Sequence, residues 1–148
     1  LWSESNQMKA DFIQLYSGTD GIEHLEFDNN AFISSLVDSG KYNQIKGKDM
    51  WGYFQDNELK KIKVQGNGQT IYYPKNEDGS IIGVNKADCS DMWIYVSENN
   101  IDKISFLTKP AATLYPLDDI SKEVLILRGF EWNGYQRPLN KQDIFNWR

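Results

Sequence analysis

Apolar and polar residues alternate with period two through three stretches of the chain. Leu25 and Phe27, Ile62 and Val64, and Ile104 and Phe106 fall on one side of the alternation, with Glu26, Lys63 and Ser105 on the other. Period-two alternation is the mark of a strand with one face buried and one face wet. Each stretch is preceded by a second apolar segment: Ile13-Gln14-Leu15-Tyr16-Ser17, Met50-Trp51-Gly52-Tyr53-Phe54 and Met92-Trp93-Ile94-Tyr95-Val96. Four-residue polar connectors, such as Gln55-Asp56-Asn57-Glu58, join the members of each pair. The three blocks align without a gap, with Tyr16, Tyr53 and Tyr95 in register. A hairpin is therefore written three times at a spacing of about 40 residues, which predicts an all-β architecture of stacked hairpins.

The repeat extends beyond the hairpins. Met8-Lys9-Ala10, Ile45-Lys46-Gly47 and Asn85-Lys86-Ala87 precede the first strands, and extra residues enter the third copy near Cys89-Ser90, where a β-bulge or widened corner is expected. Downstream, Asn30-Ala31-Phe32-Ile33, Asn67-Gly68-Gln69-Thr70 and Lys109-Pro110-Ala111-Ala112 align and open a third strand in each unit. Asp38-Ser39-Gly40 and Asn76-Glu77-Asp78-Gly79 read as turns. Gly66-Asn67-Gly68 opens no helix, so it predicts a bulge or corner rather than a phosphate loop. Helix signals are confined to the tail, at Ser121-Lys122-Glu123 and over 141–147. A propeller needs more blades of more strands than are visible here.

In the first strands, Ile13/Leu15, Met50/Phe54 and Met92/Ile94/Val96 form one face. Tyr16, Trp51/Tyr53 and Trp93/Tyr95 form the other. Apolarity on both faces means either that both are covered or that one is an exposed aromatic stripe.

Composition narrows the classes. The chain has 148 residues, enough for one domain, and 14% of them are aromatic, which suits pleated surfaces. A net charge of −5 argues against a nucleic-acid partner. The longest apolar run, Met92 to Val96, is far short of the about 20 residues of a membrane helix, so no transmembrane segment is expected. The start Leu-Trp-Ser reads as an excised or processed piece. A single cysteine, Cys89, permits no internal disulfide and reads as a small buried apolar group.

The stretch from Asp56 to Tyr73, with its Asp-Asn, polar strand, Gly-Asn and Tyr-Tyr, resembles the OstA-like proteins. These are related to the periplasmic lipopolysaccharide-transport domains of the LptA and LptC kind. Ile82-Gly83-Val84-Asn85-Lys86-Ala87, Gly129-Phe130-Glu131-Trp132 and Arg137-Pro138 extend the resemblance over roughly residues 8 to 145. It implies one antiparallel β-jellyroll or roll, a folded-over "β-taco" of three hairpin repeats spanning 1–148, with an irregular or helical tail (117–148) packed on it. It also implies a periplasmic or outer-membrane-associated location. The implied partners are lipopolysaccharide or a related glycolipid, and other transport-family β domains joined by edge-strand addition. Its groove would be lined by the inward residues Ile13, Leu15, Leu25, Phe27, Met50, Phe54, Ile62, Val64, Met92, Ile94, Val96, Ile104 and Phe106. Such a lining removes acyl methylenes from water at about 0.8 kcal/mol each, with no catalytic group and no cofactor. The same residues equally suit a packed core.

Other chemistries have thinner support. His24, the only histidine, stands where the other repeats have Lys61 and Lys103, which makes it a solvated strand residue. One His and one Cys leave no Cys/His zinc site. The carboxylate pairs Glu77/Asp78, Asp118/Asp119 and Asp88/Asp91 lie at turns or strand margins, where acids are ordinary, so an enzyme is not the expectation. Asp28-Asn29-Asn30 lacks the ligand density of a calcium loop. The alternative reading is a glycan- or protein-binding β module whose aromatic face comprises Trp51, Trp93, Trp132 and the tyrosines.

Overall fold

A computed structural model describes residues 2–3, 6–38, 40–98, 100–107, 110–117 and 125–136. The predicted helical segments at 121–123 and 141–147 and the pair Asp118/Asp119 lie outside the described residues. Within them are nine strands: β1 (Trp2–Ser3), β2 (Asn6–Lys9), β3 (Phe12–Gly18), β4 (Gly21–Asp38), β5 (Lys41–Gln55), β6 (Glu58–Tyr72), β7 (Val84–Ser97), β8 (Asn100–Phe106) and β9 (Ala111–Tyr115). All pair antiparallel in one open sheet of path β1-β2-β4-β5-β6-β7-β8, with β3 also on β4 and β9 also on β7. The all-β roll expected from the repeats is the fold observed.

The three hairpins are β3–β4, β5–β6 and β7–β8, closed by the pairs Gly18↔Gly21, Gln55↔Glu58 and Ser97↔Asn100. Asp56 and Asn57 both hold left-handed conformations, φ 54° and 61°, as a two-residue turn that matches strand twist requires. Asn57 also ties adjacent hairpins together, since its Oδ1 accepts the Ile22 N–H at 3.0 Å. Asn57→Ala removes that bond and places a Cβ-constrained residue at positive φ, so it will cost about 1–2 kcal/mol. Asn57→Gly, free of the backbone cost, will fall between wild type and Asn57→Ala in thermal unfolding.

Every hairpin carries the same irregularity. The register shifts beside Tyr16, Tyr53 and Tyr95, leaving Glu23, Lys60 and Asp102 as extra residues in the second strands. An extra residue resets the pleat. It lets apolar residues three apart, Leu59 and Ile62, point into the same core.

A second line of bulges crosses the sheet. The register breaks between Asp28 and Ala31 in β4, between Lys46 and Asp49 in β5 and between Gln65 and Gly68 in β6, opposite Ser90 in β7. Asn29, Asn30, Gly66 and Asn67 have φ of 64°, 52°, 85° and 50° there. A Cβ at Gly68 would stand 2.6 Å from the Cys89 carbonyl oxygen, so this corner requires glycine. The expected corners at Gly66-Asn67-Gly68 and Cys89-Ser90 are thus two points on one crease.

The crease divides the sheet into two arms. One holds the hairpin ends; the other holds β2, β9 and the remaining halves of β4 to β7. The four inner strands run through both arms, whereas at each margin the strand is broken in two, β2 then β3 and β8 then β9. What the repeats present as a second strand and the start of a third is one long bent strand in β4 and β6. It is divided only in the last unit, where Pro110 precedes β9.

The arms fold face to face. Leu25, Phe27, Met50, Ile62, Met92 and Ile94 of the hairpin arm share one buried cluster with Met8, Ile33 and Ile45 of the other. Tyr72 on the second arm donates its hydroxyl to the Ile101 carbonyl at the tip of the third hairpin, at 3.4 Å. Burial, and then the charge of Asp102, hold this phenol above its ordinary pKa. Residues 125–136 cross the outer face of the second arm and cover a smaller cluster of Phe32, Ile71, Tyr73, Val84 and Leu127. Gln44 and Gln7 anchor this segment: the Leu127 N–H donates to Gln44 Oε1 at 2.8 Å, and the Asn133 N–H to Gln7 Oε1 at 2.7 Å.

Candidate functional site

The inner face carries every predicted groove residue, but most of it is filled. Met50, Val64, Met92 and Ile94 are 0% exposed, and Leu25, Phe27, Ile62 and Val96 are also buried. Phe54, Ile104 and Phe106 are half-buried and pack against the same cluster. These residues are a core in which the side chains of the two arms occupy each other's space.

Ile13 and Leu15 differ. They pair directly with Phe27 and Leu25 and so share the inner face, yet they are 37% and 53% exposed. They sit on β3, at the margin of the hairpin arm, where the apolar wall outruns its cover. Along the mouth between the arms lies a cavity of about 290 Å³ lined by Ser35, Asn43, Tyr72, Lys75, Ile101 and Asp102 among others. Apolar Leu36 and Val37 join its lining beside these polar groups.

The outer face of the hairpin arm holds the aromatic set. Register places Tyr16, His24, Tyr53, Lys61, Tyr95 and Lys103 in one row across six strands, and Glu26, Trp51, Lys63 and Trp93 in the next. His24 stacks on Tyr16, with centroids 4.3 Å apart and planes at 11°; Tyr53 and Trp93 lie 5.9 Å apart. His24 is half-exposed in its strand as expected, and its stacking on Tyr16 is the added finding. Desolvation, then the Glu26 carboxylate, hold the Tyr16 phenol above its ordinary pKa. Lys61 Nζ lies 5.4 Å from the Tyr53 ring centroid and 5.0 Å from that of Trp93, and Lys103 Nζ lies 5.8 Å from Tyr95. Lysine ammonium groups, rather than another strand, lie over part of this aromatic face, and Tyr16 and Tyr95 stay exposed.

One expectation is corrected. Trp132 does not belong to this surface. It packs against Trp2 and Tyr42 in the segment covering the opposite arm, with centroids 5.3 and 5.0 Å away. Sequence distance gave no hint of this, because the tail folds back over the first strands.

The remaining candidates serve the fold. Asp78 is held below the ordinary carboxylate range by hydrogen bonds from the Ser80 hydroxyl and N–H, in the turn predicted there. Asp91 accepts the Gly66 N–H at the crease. Asn29 and Asn30 donate to Asp11, and the Asn29 N–H donates to Asp49, so Asp28-Asn29-Asn30 is a tied corner. Cys89 is buried, as expected, against the Asp91 carbonyl. Among the described residues no group of three or more His, Cys, Asp or Glu gathers as a metal site, and no helix is long and apolar enough to cross a membrane.

The fold and these surfaces define an all-antiparallel β protein made of one sheet folded on itself. No protein-family model, curated protein or solved structure matches the chain.

Proposed function

We propose that this protein binds and carries the acyl part of an envelope glycolipid of the lipopolysaccharide type, with no chemical transformation, as the resemblance to lipopolysaccharide-transport domains implies. The observation that carries the reading is the exposed inner-face wall at β3. Ile13 and Leu15 continue the surface of Leu25 and Phe27 beyond the point where the second arm covers it. Acyl methylenes laid on that wall leave water at about 0.8 kcal/mol each. β3 and β8, at the two margins of the hairpin arm, would receive strands of neighbouring β domains. A periplasmic or outer-membrane-associated setting follows from the same reading.

The test is site-specific photo-crosslinking to purified lipopolysaccharide. A benzophenone side chain at Leu15 will label the lipid, and one at Gln14, the next residue on the opposite face, will not. Equal labelling at both positions, or none at either, sinks the proposal.

A further inference from the structure

The outer face of the hairpin arm has features that lipid carriage does not use. Its first row alternates tyrosine with a nitrogen-bearing side chain across the sheet: tyrosine on β3, β5 and β7, and His24, Lys61 and Lys103 on β4, β6 and β8. Adjacent strands lie about 4.7–4.9 Å apart, so the basic groups recur at about 9–10 Å. Lys63, in the second row, adds a positive group, with its Nζ 5.8 Å from the Trp93 centroid. Among the described residues none of Lys61, Lys63 and Lys103 forms an ion pair; their ammonium groups lie over rings instead. Glu26, the acid of these rows, is engaged locally, within 3.7 Å of His24 and hydrogen-bonded by the Tyr16 hydroxyl. Tyr16 and Tyr95 remain 40% and 37% exposed.

We propose that this face binds a linear acidic glycan laid across the strands, with its acid groups on Lys61, Lys63 and Lys103 and its sugar C–H faces against Tyr53, Trp93 and Tyr95. Rings present an apolar face to the C–H side of a sugar, and unpaired ammonium groups over those rings supply the complementary charge. The spacing selects the partner. Each strand of a nucleic-acid duplex carries a phosphate about every 3.4 Å of helix axis, denser than these cations. A glycan with acid groups on alternate sugars presents its charge as sparsely as these lysines do.

Calorimetric titration of the protein with hyaluronate oligosaccharides, which carry one carboxylate per disaccharide, tests this. Neutral cello-oligosaccharides and oligo(dT) serve as comparators. Hyaluronate will bind, and its affinity will fall as salt rises. Lys61→Gln combined with Lys103→Gln will weaken it by about tenfold or more while the protein stays folded by circular dichroism. Lys61→Arg with Lys103→Arg will retain binding. Absent hyaluronate binding, equal binding of the neutral sugar, tighter binding of oligo(dT), or wild-type affinity in the glutamine pair would each overturn the proposal. Hyaluronate has no acyl chain, so the outcome is independent of lipid carriage at β3.

Discussion

Phe27→Ala will lower stability by about 3–5 kcal/mol, seen as a large drop in the urea midpoint at unchanged slope. The ring is 1% exposed in the cluster that joins the two arms. Its strand neighbours Ile13 and Met50 share its face, so truncation leaves a void bordered by both flanking strands. Gly52 borders the same space: a Cβ there would lie 3.7 Å from the Phe27 ring and 3.2 Å from Leu59. Strands held in a ladder cannot collapse readily into such a hole, which places the cost in the upper range for a large-to-small change. Phe12→Ala supplies the control. That ring is 70% exposed on the next strand, and its loss will change stability by less than about 0.5 kcal/mol.

Gln44→Leu will cost about 2–5 kcal/mol and will release the segment over the second arm. Gln44 is 1% exposed, and its amide serves both sides of the chain above it. Its Oε1 accepts the Leu127 N–H at 2.8 Å, and its Nε2 donates to the Leu125 carbonyl at 2.9 Å. Leucine keeps the volume but strands a buried donor and its neighbouring acceptor, each worth about 1–3 kcal/mol unpaired. Hydrogen exchange at the Leu127 amide reads the effect directly. The amide will lose protection in the variant while those of β6 keep theirs. A Leu127 amide that stays protected would mean that Gln7, Lys9 and Lys46, which bond to Glu131, Asn133 and Arg128, hold the segment without Gln44.

The hairpins were legible because each signal in them is local. Period-two alternation, a four-residue polar connector and the recurrence of tyrosine fix register without knowledge of distant chain, although only the middle two connector residues form the turn. Even the bulge in the second strands has a trace, in apolar residues three apart at Ile22/Leu25, Leu59/Ile62 and Ile101/Ile104. The crease was only partly readable. Gly66-Asn67-Gly68 and Cys89-Ser90 mark corners, but Asn29-Asn30 reads equally as the end of a strand, and alignment of the corners exists only after the strands pair. The resemblance implied a packed tail, but the place where residues 125–136 dock left no signal. Gln7 and Gln44 look like solvent-facing strand residues until the backbone of residues 125–133 supplies their partners. For the site, the sequence grouped the hairpin residues that share the inner face but missed Met8, Ile33, Ile45 and Leu59, which complete the same cluster. It could not say which of those residues stay uncovered, because exposure of Ile13 and Leu15 depends on how far the opposite arm reaches. The two-faced apolarity of the first strands resolves in the same way. One face is core, and the other is partly sheltered by lysines of the neighbouring strands, a role that a count of apolar residues does not show.

The crease has a thermodynamic consequence. Because β4, β5, β6 and β7 each pass through it, every one of these strands contributes ladder hydrogen bonds to both arms at once. Melting one arm alone would leave four covalently continuous strands half-paired and the shared apolar cluster open to water. The two arms therefore behave as a single cooperative unit, however bent the sheet between them, and partial opening is confined to the broken marginal strands.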